Sequence, residues 1–277
     1  MKCDRTEEKM MANSTTVPVS TVYGPVSSWR YGRSLGIDPI GVVSTCSFNC
    51  VYCQLGEIEQ ITSDRQVYIP TAQILEELKG FAPWDVDVIT LSGSGEPTLA
   101  VNLGEILREI KQLTHRPTLV LTNATLLHDP TVRSQLAFAD RVSVKMDAVS
   151  PEGLRRVNRP DSQVNFSQLW AGIEQFCAEY PGDLGIQTMI LSAWDEQAKA
   201  EYIRQIKAIK PTEVQLNTPS RPKPVKRQLD GRGNHSGSED RPYEVRQFKC
   251  VSQAVLQALA QEIQTQTGVR VRTVHSN

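Results

Sequence analysis

The chain has 277 residues, a formal net charge of -1 and a sequence pI near 6.5, which excludes a global basic field for nucleic acid or an anionic membrane surface. Such a length suits a single α/β barrel with a sizeable core. Six cysteines, three clustered and three scattered, make no disulfide framework in a chain this large, and no apolar run is long enough to span a bilayer. The expectation is therefore a cytoplasmic protein with no membrane partner.

Met1 to Ser20 mixes Lys2, Asp4, Arg5, Glu7, Glu8 and Lys9 with Ser and Thr and lacks an apolar core, so residues 1–22 are expected to be a disordered leader and no signal peptide. From Tyr23 to Asp38, Gly24, Gly32 and Gly36 punctuate a stretch bearing Arg30 and Arg33. Glycine permits close backbone approach and arginine supplies forked donors for carboxylate or phosphate, although an ordinary arginine-bearing loop reads the same. A strand is expected from about Ile37 to Ser44.

Next comes Cys46-Ser-Phe-Asn-Cys50-Val-Tyr-Cys53, three cysteines spaced CxxxCxxC in one short loop. A structural zinc site wants four ligands. Three thiolates can instead hold three irons of a 4Fe-4S cubane and leave the fourth iron open for a substrate. A zinc loop or a non-enzymatic thiolate module for structure, RNA binding or electron relay is the alternative reading.

Helical spacing of Ile74, Leu75 and Leu78 predicts a helix over Thr71 to Lys79, stopped by Gly80. A strand follows at Val86 to Leu91, ending in Ser92-Gly93-Ser94-Gly95-Glu96-Pro97. Asn102 and Glu105 have capping-box spacing at the start of a helix carrying Leu103, Ile106, Leu107, Ile110 and Leu113. Further strands are predicted at Thr118–Leu121, Val142–Met146, Ile186–Leu191 and Val214–Asn217. Helices are predicted over Thr131–Ala137, Ser167–Glu179 and Asp195–Ile209. Six βα repeats with right-handed crossovers predict an α/β fold, a partial parallel (β/α)6 barrel. Residues 220–243, rich in Pro, Gly, Ser, Arg and Lys, are expected to be a flexible basic loop. Residues 244–277 supply a last helix (about Val245 to Gln266) and a short edge strand, packed on the core.

Ligands in parallel βα folds sit at the carboxyl ends of strands. The polar groups fall there: the cysteines, Gly93 to Pro97, Thr122 and Asn123, Asp147 and Asn217. The Gly93, Gly95, Glu96, Pro97 turn offers carbonyls and a carboxylate to a cationic amino group. Thr122 and Asn123 suit a ribose or carboxylate. Lys145 alternates with Val144 and Met146, and if inward it needs an anionic partner, for which Asp147 on the same face is one candidate. Arg221, Lys223, Lys226, Arg227 and Arg232 form a basic run that could meet phosphates or simply be solvated.

The CxxxCxxC loop with Tyr52 before its last cysteine resembles the signature of the radical S-adenosylmethionine (SAM) enzymes, and the Ser92 to Pro97 turn resembles their Gly-Gly-Glu-Pro motif, with Ser94 at the first glycine. From Tyr23 to about Pro219, residues 23–219, the chain looks like the wyosine-base-formation type of Fe-S oxidoreductase. The resemblance implies a 4Fe-4S cluster on Cys46, Cys50 and Cys53, with SAM chelating the open iron. It also implies SAM contacts from Tyr52 (adenine, through its backbone), Gly93, Gly95, Glu96, Pro97, Thr122, Asn123, Lys145 and Asp147. Reductive cleavage of SAM to a 5'-deoxyadenosyl radical would then abstract hydrogen from a substrate, RNA through the 221–232 run or a small metabolite. A flavodoxin or ferredoxin-like electron donor is implied as well. Enzymes of that type with a second cluster carry three more cysteines upstream; only Cys3 stands there here, so one cluster is expected.

Overall fold

Alternation along the strands decides the architecture. Leu35, Ile37, Ile89, Leu91, Val142, Val144, Ile186, Val214 and Leu216 are buried under helices, while Ser34, Gly36, Thr90, Ser143, Lys145, Gln187, Gln215 and Asn217 line a cavity on the opposite face. The computed structural model describes residues 20–232 and 241–274. It begins with strands β1 (Val22–Ser28) and β2 (Gly32–Ile37), two-residue strands β3 (Thr45–Cys46) and β4 (Gln60–Ile61), and helix α1 (Thr71–Lys79). Then follow β5 (Val88–Leu91), α2 (Leu103–Thr114), β6 (Thr118–Thr122), α3 (Pro130–Leu136), β7 (Arg141–Lys145), α4 (Pro151–Val157) and α5 (Phe166–Glu179). The chain continues through β8 (Asp183–Met189), α6 (Glu196–Ile209), β9 (Glu213–Asn217), the short pair β10 (Lys223–Pro224) and β11 (Val245–Arg246), α7 (Gln253–Thr267) and β12 (Arg270–Thr273).

The main sheet has the order β1-β2-β5-β6-β7-β8-β9-β12. All its pairs are parallel except β1 with β2. It curls into a half-barrel with helices on its outer face, the partial parallel (β/α)6 barrel expected from the βα repeats, extended by β1 at one edge and β12 at the other. Among the described residues no helix is long and apolar enough to cross a membrane.

Several local expectations are corrected. The first strand of the barrel ends at Ile37, where the sequence suggested it would begin, and Tyr23 to Asp38 is a β-hairpin with its turn at Trp29 to Tyr31. On β2 the cavity face is Ser34 and Gly36, so apolar alternation is faint: a Cβ on Gly36 would lie 2.2 Å from the ring of Tyr23 on β1. Asn102 precedes α2 without capping it, because its amide bonds Ile69 O at 3.0 Å and Thr71 Oγ1 at 3.1 Å, tying α2 to the start of α1. The last helix starts at Gln253, capped by Ser252, and Val245–Arg246 pairs with Lys223–Pro224. Of the leader expected over 1–22, residues 1–19 lie outside the described residues, while Val22 opens β1.

The edges of the curled sheet meet at the hairpin tip. Arg272 on β12 donates to Arg30 O at 2.8 Å and Trp29 O at 3.4 Å and lies over the Trp29 ring, 5.5 Å from its centroid. Tyr31 reaches into the concave face, its hydroxyl 3.0 Å from Ser143 Oγ on β7 and from Gln215 Nε2 on β9. This contact closes the wall of the cavity. Arg272→Ala is expected to lower stability by about 1–3 kcal/mol, read as a reduced urea midpoint, since two carbonyl bonds and a ring contact are lost together. An unchanged midpoint would show that the seam is held elsewhere.

Candidate active site

Backbone pairing puts the cysteine loop at the carboxyl end of the sheet. Thr45 N–H donates to Ser94 O at 3.0 Å, and Glu96 N–H donates to Thr45 O at 3.1 Å. A Cβ at Gly95 would lie 1.7 Å from Thr45 O, so only glycine permits this approach. The far side of the loop is gripped by the segment after α4: Asn49 N–H bonds Asn158 O at 3.0 Å, Val51 N–H bonds Val157 O at 3.0 Å, and Asp161 N–H bonds Ser47 O at 2.8 Å.

Cys46, Cys50 and Cys53 all line one cavity of about 340 Å³. Cys46 Sγ accepts from Phe48 N–H at 3.4 Å and Asn123 Nδ2 at 3.5 Å, and Cys50 Sγ accepts from Asn158 Nδ2 at 3.4 Å. Burial pushes all three thiols up, Cys50 to about 12 with the charge of Lys145 opposing, and Cys46 well above its ordinary value with Glu96 adding to the effect. Thiolates in such a setting need the positive charge of a metal and N–H donors, and the donors are in place. Among the described residues no group of three His, Cys, Asp or Glu could hold one metal ion. Thiols ringing a shared cavity suit instead a multi-iron cluster in which each takes a different iron. Cys177 and Cys250 do not line this cavity, and Cys3 lies outside the described residues.

Gly93, Gly95, Glu96, Thr122, Asn123, Lys145 and Tyr52 share the cavity wall with the thiols, whereas Pro97 and Asp147 do not. Gly93 has φ +122°, and a Cβ there would lie 2.5 Å from Asp38 Cγ. Pro97 is buried at the start of a 3-10 turn, Pro97–Leu99. Glu96 accepts from four donors: Thr98 N–H at 3.1 Å, and Thr98 Oγ1, Thr122 Oγ1 and Asn123 N–H, each at 2.7 Å. Three of these bonds fall on Oε1, which leaves capacity on Oε2. Burial raises the Glu96 carboxyl above its ordinary value, against the pull of these bonds. Thr122 and Asn123 differ from the expectation of free ligand-facing groups. Their side chains are occupied with Glu96, Cys46 Sγ and Ser47 Oγ, and the Asn123 carbonyl accepts from Thr125.

Lys145 points inward, its Nζ 3.6 Å from Asp147 Oδ2 and 5.1 Å from the centroid of the Tyr52 ring. The Asp147 carboxylate is sealed behind them. It accepts from the Tyr52 hydroxyl, from Asn158 Nδ2 at 2.7 Å and from Met189 N–H at 2.8 Å. Burial, with the Asp147 charge beside it, holds the Tyr52 phenol well above its ordinary value, so it stays a donor. Asn158, which joins Asp147 to Cys50, was not found from the sequence. The available signals were the Ser150-Pro151 helix start and the turn-forming Asn158-Arg159-Pro160 that follows.

The segment expected to be a flexible basic loop is packed over the cysteine loop as far as Arg232; residues 233–240 lie outside the described residues. Gln228 N–H bonds Leu55 O at 2.8 Å, and a Cβ on Gly231 would lie 2.3 Å from Gln54 O. Lys223 pairs with Glu57 at 2.8 Å and reaches Cys50 O at 3.4 Å. Arg227 bonds Val42 O and Ser94 Oγ, each at 3.1 Å, and Arg232 pairs with Asp38 at 2.9 Å. These cations turn inward because acids and carbonyls of the loops beneath face them, and Lys226 is left exposed.

Comparison with known proteins agrees with this site. The Radical SAM superfamily matches residues 40–191, from just ahead of the cysteine loop to the end of β8. The UPF0026 protein slr1464 of Synechocystis sp. (strain ATCC 27184 / PCC 6803 / Kazusa) is 60% identical over 261 residues, 94% of this chain and 97% of its own length. Streptococcus suis SuiB bound to precursor peptide SuiA superposes with a TM-score of 0.60 at 16% identity, over 86% of this chain and 48% of SuiB. Native anSMEcpe with bound AdoMet gives 0.58 at 16% identity, over 87% of this chain and 64% of its own. Likeness at such identity shows the fold, and the chain spans about half the length of SuiB. A superfamily match over more than half of the chain, beginning just ahead of the three-cysteine loop, shows that the chain belongs to the radical SAM superfamily, enzymes that use a 4Fe-4S cluster and SAM.

Proposed function

We propose that the chain holds one 4Fe-4S cluster on Cys46, Cys50 and Cys53, binds SAM beside it, and takes a hydrogen atom from a small substrate lodged deeper in the half-barrel. The observation that carries this is the convergence of the three thiols, the Gly93 to Glu96 turn and Lys145 on one cavity at the carboxyl ends of the strands. When bound, the cluster supplies the electron that cleaves the SAM sulfonium to methionine and a 5'-deoxyadenosyl radical.

The chain's own residues bind and orient. Glu96 Oε2 and the carbonyls of the glycine turn accept from the SAM ammonium, and Lys145 offers its charge to the carboxylate. Tyr52 places the adenine through its backbone. Thr122 and Asn123 act one step back, holding Glu96 and Cys46. Asp147 is likewise a positioning residue, acting through Tyr52, Lys145 and Asn158. Residues 23–219 carry this chemistry, with 244–274 completing the barrel wall and 220–232 covering the cysteine loop. A flavodoxin or ferredoxin-like protein supplies the electron. The inward pairing of Lys223, Arg227 and Arg232 favours a small molecule over RNA as the substrate.

After anaerobic reconstitution with iron and sulfide, dithionite and SAM are expected to yield 5'-deoxyadenosine by chromatography, and Cys50→Ala is expected to lose both the cluster absorption and the product. An intact cluster spectrum with full SAM cleavage in Cys50→Ala would sink the assignment. For reconstituted Glu96→Ala, equilibrium dialysis should show SAM binding weakened by about ten-fold or more, the loss expected for one charge-assisted contact. Equal affinity in the two proteins would remove Glu96 from the SAM site.

A further inference from the structure

A buried amide stands between a carboxylate and a thiol behind the cavity wall. Asn158 is fully buried, and its Nδ2 donates to Asp147 Oδ2 at 2.7 Å and to Cys50 Sγ at 3.4 Å. Both partners accept, so the amide can face them in one orientation only. Its Oδ1 is thereby left buried with no hydrogen bond among the described residues. An orphaned buried acceptor costs free energy, and an apolar side chain of similar shape would avoid that cost. What the position gains from a carboxamide is its pair of N–H groups.

Backbone bonds hold the amide in place. Asn158 N–H closes the end of α4 on Leu154 O at 2.8 Å, and its carbonyl accepts from Asn49 N–H at 3.0 Å inside the cysteine loop. Asp147 Oδ2, the oxygen that Asn158 grips, also accepts from the Tyr52 hydroxyl and faces Lys145 Nζ at 3.6 Å. The amide therefore cannot swing away from Cys50 without breaking the wall that carries Lys145. Cys46 has a related contact from Asn123 Nδ2 at 3.5 Å, but that amide also donates to Ser47 Oγ and accepts from Thr125, so it serves the turn after β6 as well.

We propose that Asn158 is a positioning residue that acts through Cys50 and sets the reduction potential of the cluster. The assignment rests on the 4Fe-4S reading above. One electron from the donor protein adds one negative charge to the cluster and its thiolates, and no proton or covalent bond is exchanged in that step. An N–H donor at sulfur stabilises the more negative state and moves the midpoint toward easier reduction. Without it the cluster is harder to reduce, while its three ligands stay in place.

The test is a redox titration of the reconstituted full chain in the absence of SAM, monitored by electron paramagnetic resonance. Asn158→Leu has a similar shape and no donor. It is expected to shift the one-electron equilibrium about ten-fold toward the oxidised form, the effect of one hydrogen bond to a charged group, which is a midpoint about 59 mV more negative. Its iron content and visible absorption should match the parent. Asp161→Ala removes the Ser63 bond at 3.1 Å from the same segment and touches no sulfur, so it should titrate as the parent does. Where Asn158→Leu takes up too little iron to titrate, Asn158→Ala carries the comparison. Equal midpoints in the parent and the Asn158 variant, or the same shift in Asp161→Ala, overturn the proposal. Loss of the cluster from both Asn158 variants overturns it too, because the residue then holds the loop and does not tune it. Iron-sulfur absorption in the reconstituted parent tests the cluster reading separately, and a parent that takes up no cluster ends both.

Discussion

Two backbone hydrogen bonds, Thr45 N–H to Ser94 O and Glu96 N–H to Thr45 O, dock the cysteine loop on the end of β5. They exist because residue 95 carries no side chain. Any Cβ there would overlap the Thr45 carbonyl and push the two segments apart. The thiols and the Glu96 carboxylate share a cavity only while that contact holds. Glu96 extends the link, since its bonds to Thr122 and Asn123 attach the end of β6 to the same turn. One close approach thus brings the ends of two strands and the cysteine loop into register.

Asp147 does the same for the opposite wall. A buried carboxylate costs several kcal/mol unless it is paired and hydrogen-bonded. Here the Tyr52 hydroxyl, the Asn158 amide, the Met189 N–H and the Lys145 ammonium surround it. The charge therefore fixes the end of β7, the end of β8 and the side of the cysteine loop at once. Asn158 carries the link onward to Cys50 Sγ. Position, more than direct ligand contact, is what this carboxylate supplies.

The segment after β9 shows how pairing can reverse the meaning of a basic run. Lys223, Arg227 and Arg232 would read as a phosphate-binding face if they were solvated. Each instead answers an acid or carbonyl of the loops beneath, and the backbone near Gly56 and Gly231 touches its neighbour too closely for a side chain. The cover turns these cations away from solvent.

The sequence by itself determined the superfamily and the order of the fold. CxxxCxxC announces a three-thiolate site because ligand number and spacing are local properties, and α1 falls at Thr71–Lys79 as its apolar period and Gly80 predict. The six βα units were legible for the same reason. The sequence did not show the β1–β2 hairpin, whose second strand turns only Ser34 and Gly36 to the cavity, or the role of Asn158, whose partners lie 11 and 108 residues away along the chain. Nor could it give the direction of Lys145, the sealing of Asp147, the occupation of Thr122 and Asn123, or the inward turn of the basic segment. Those are decided by which buried donor meets which acceptor, and only the tertiary structure brings such pairs within hydrogen-bonding distance.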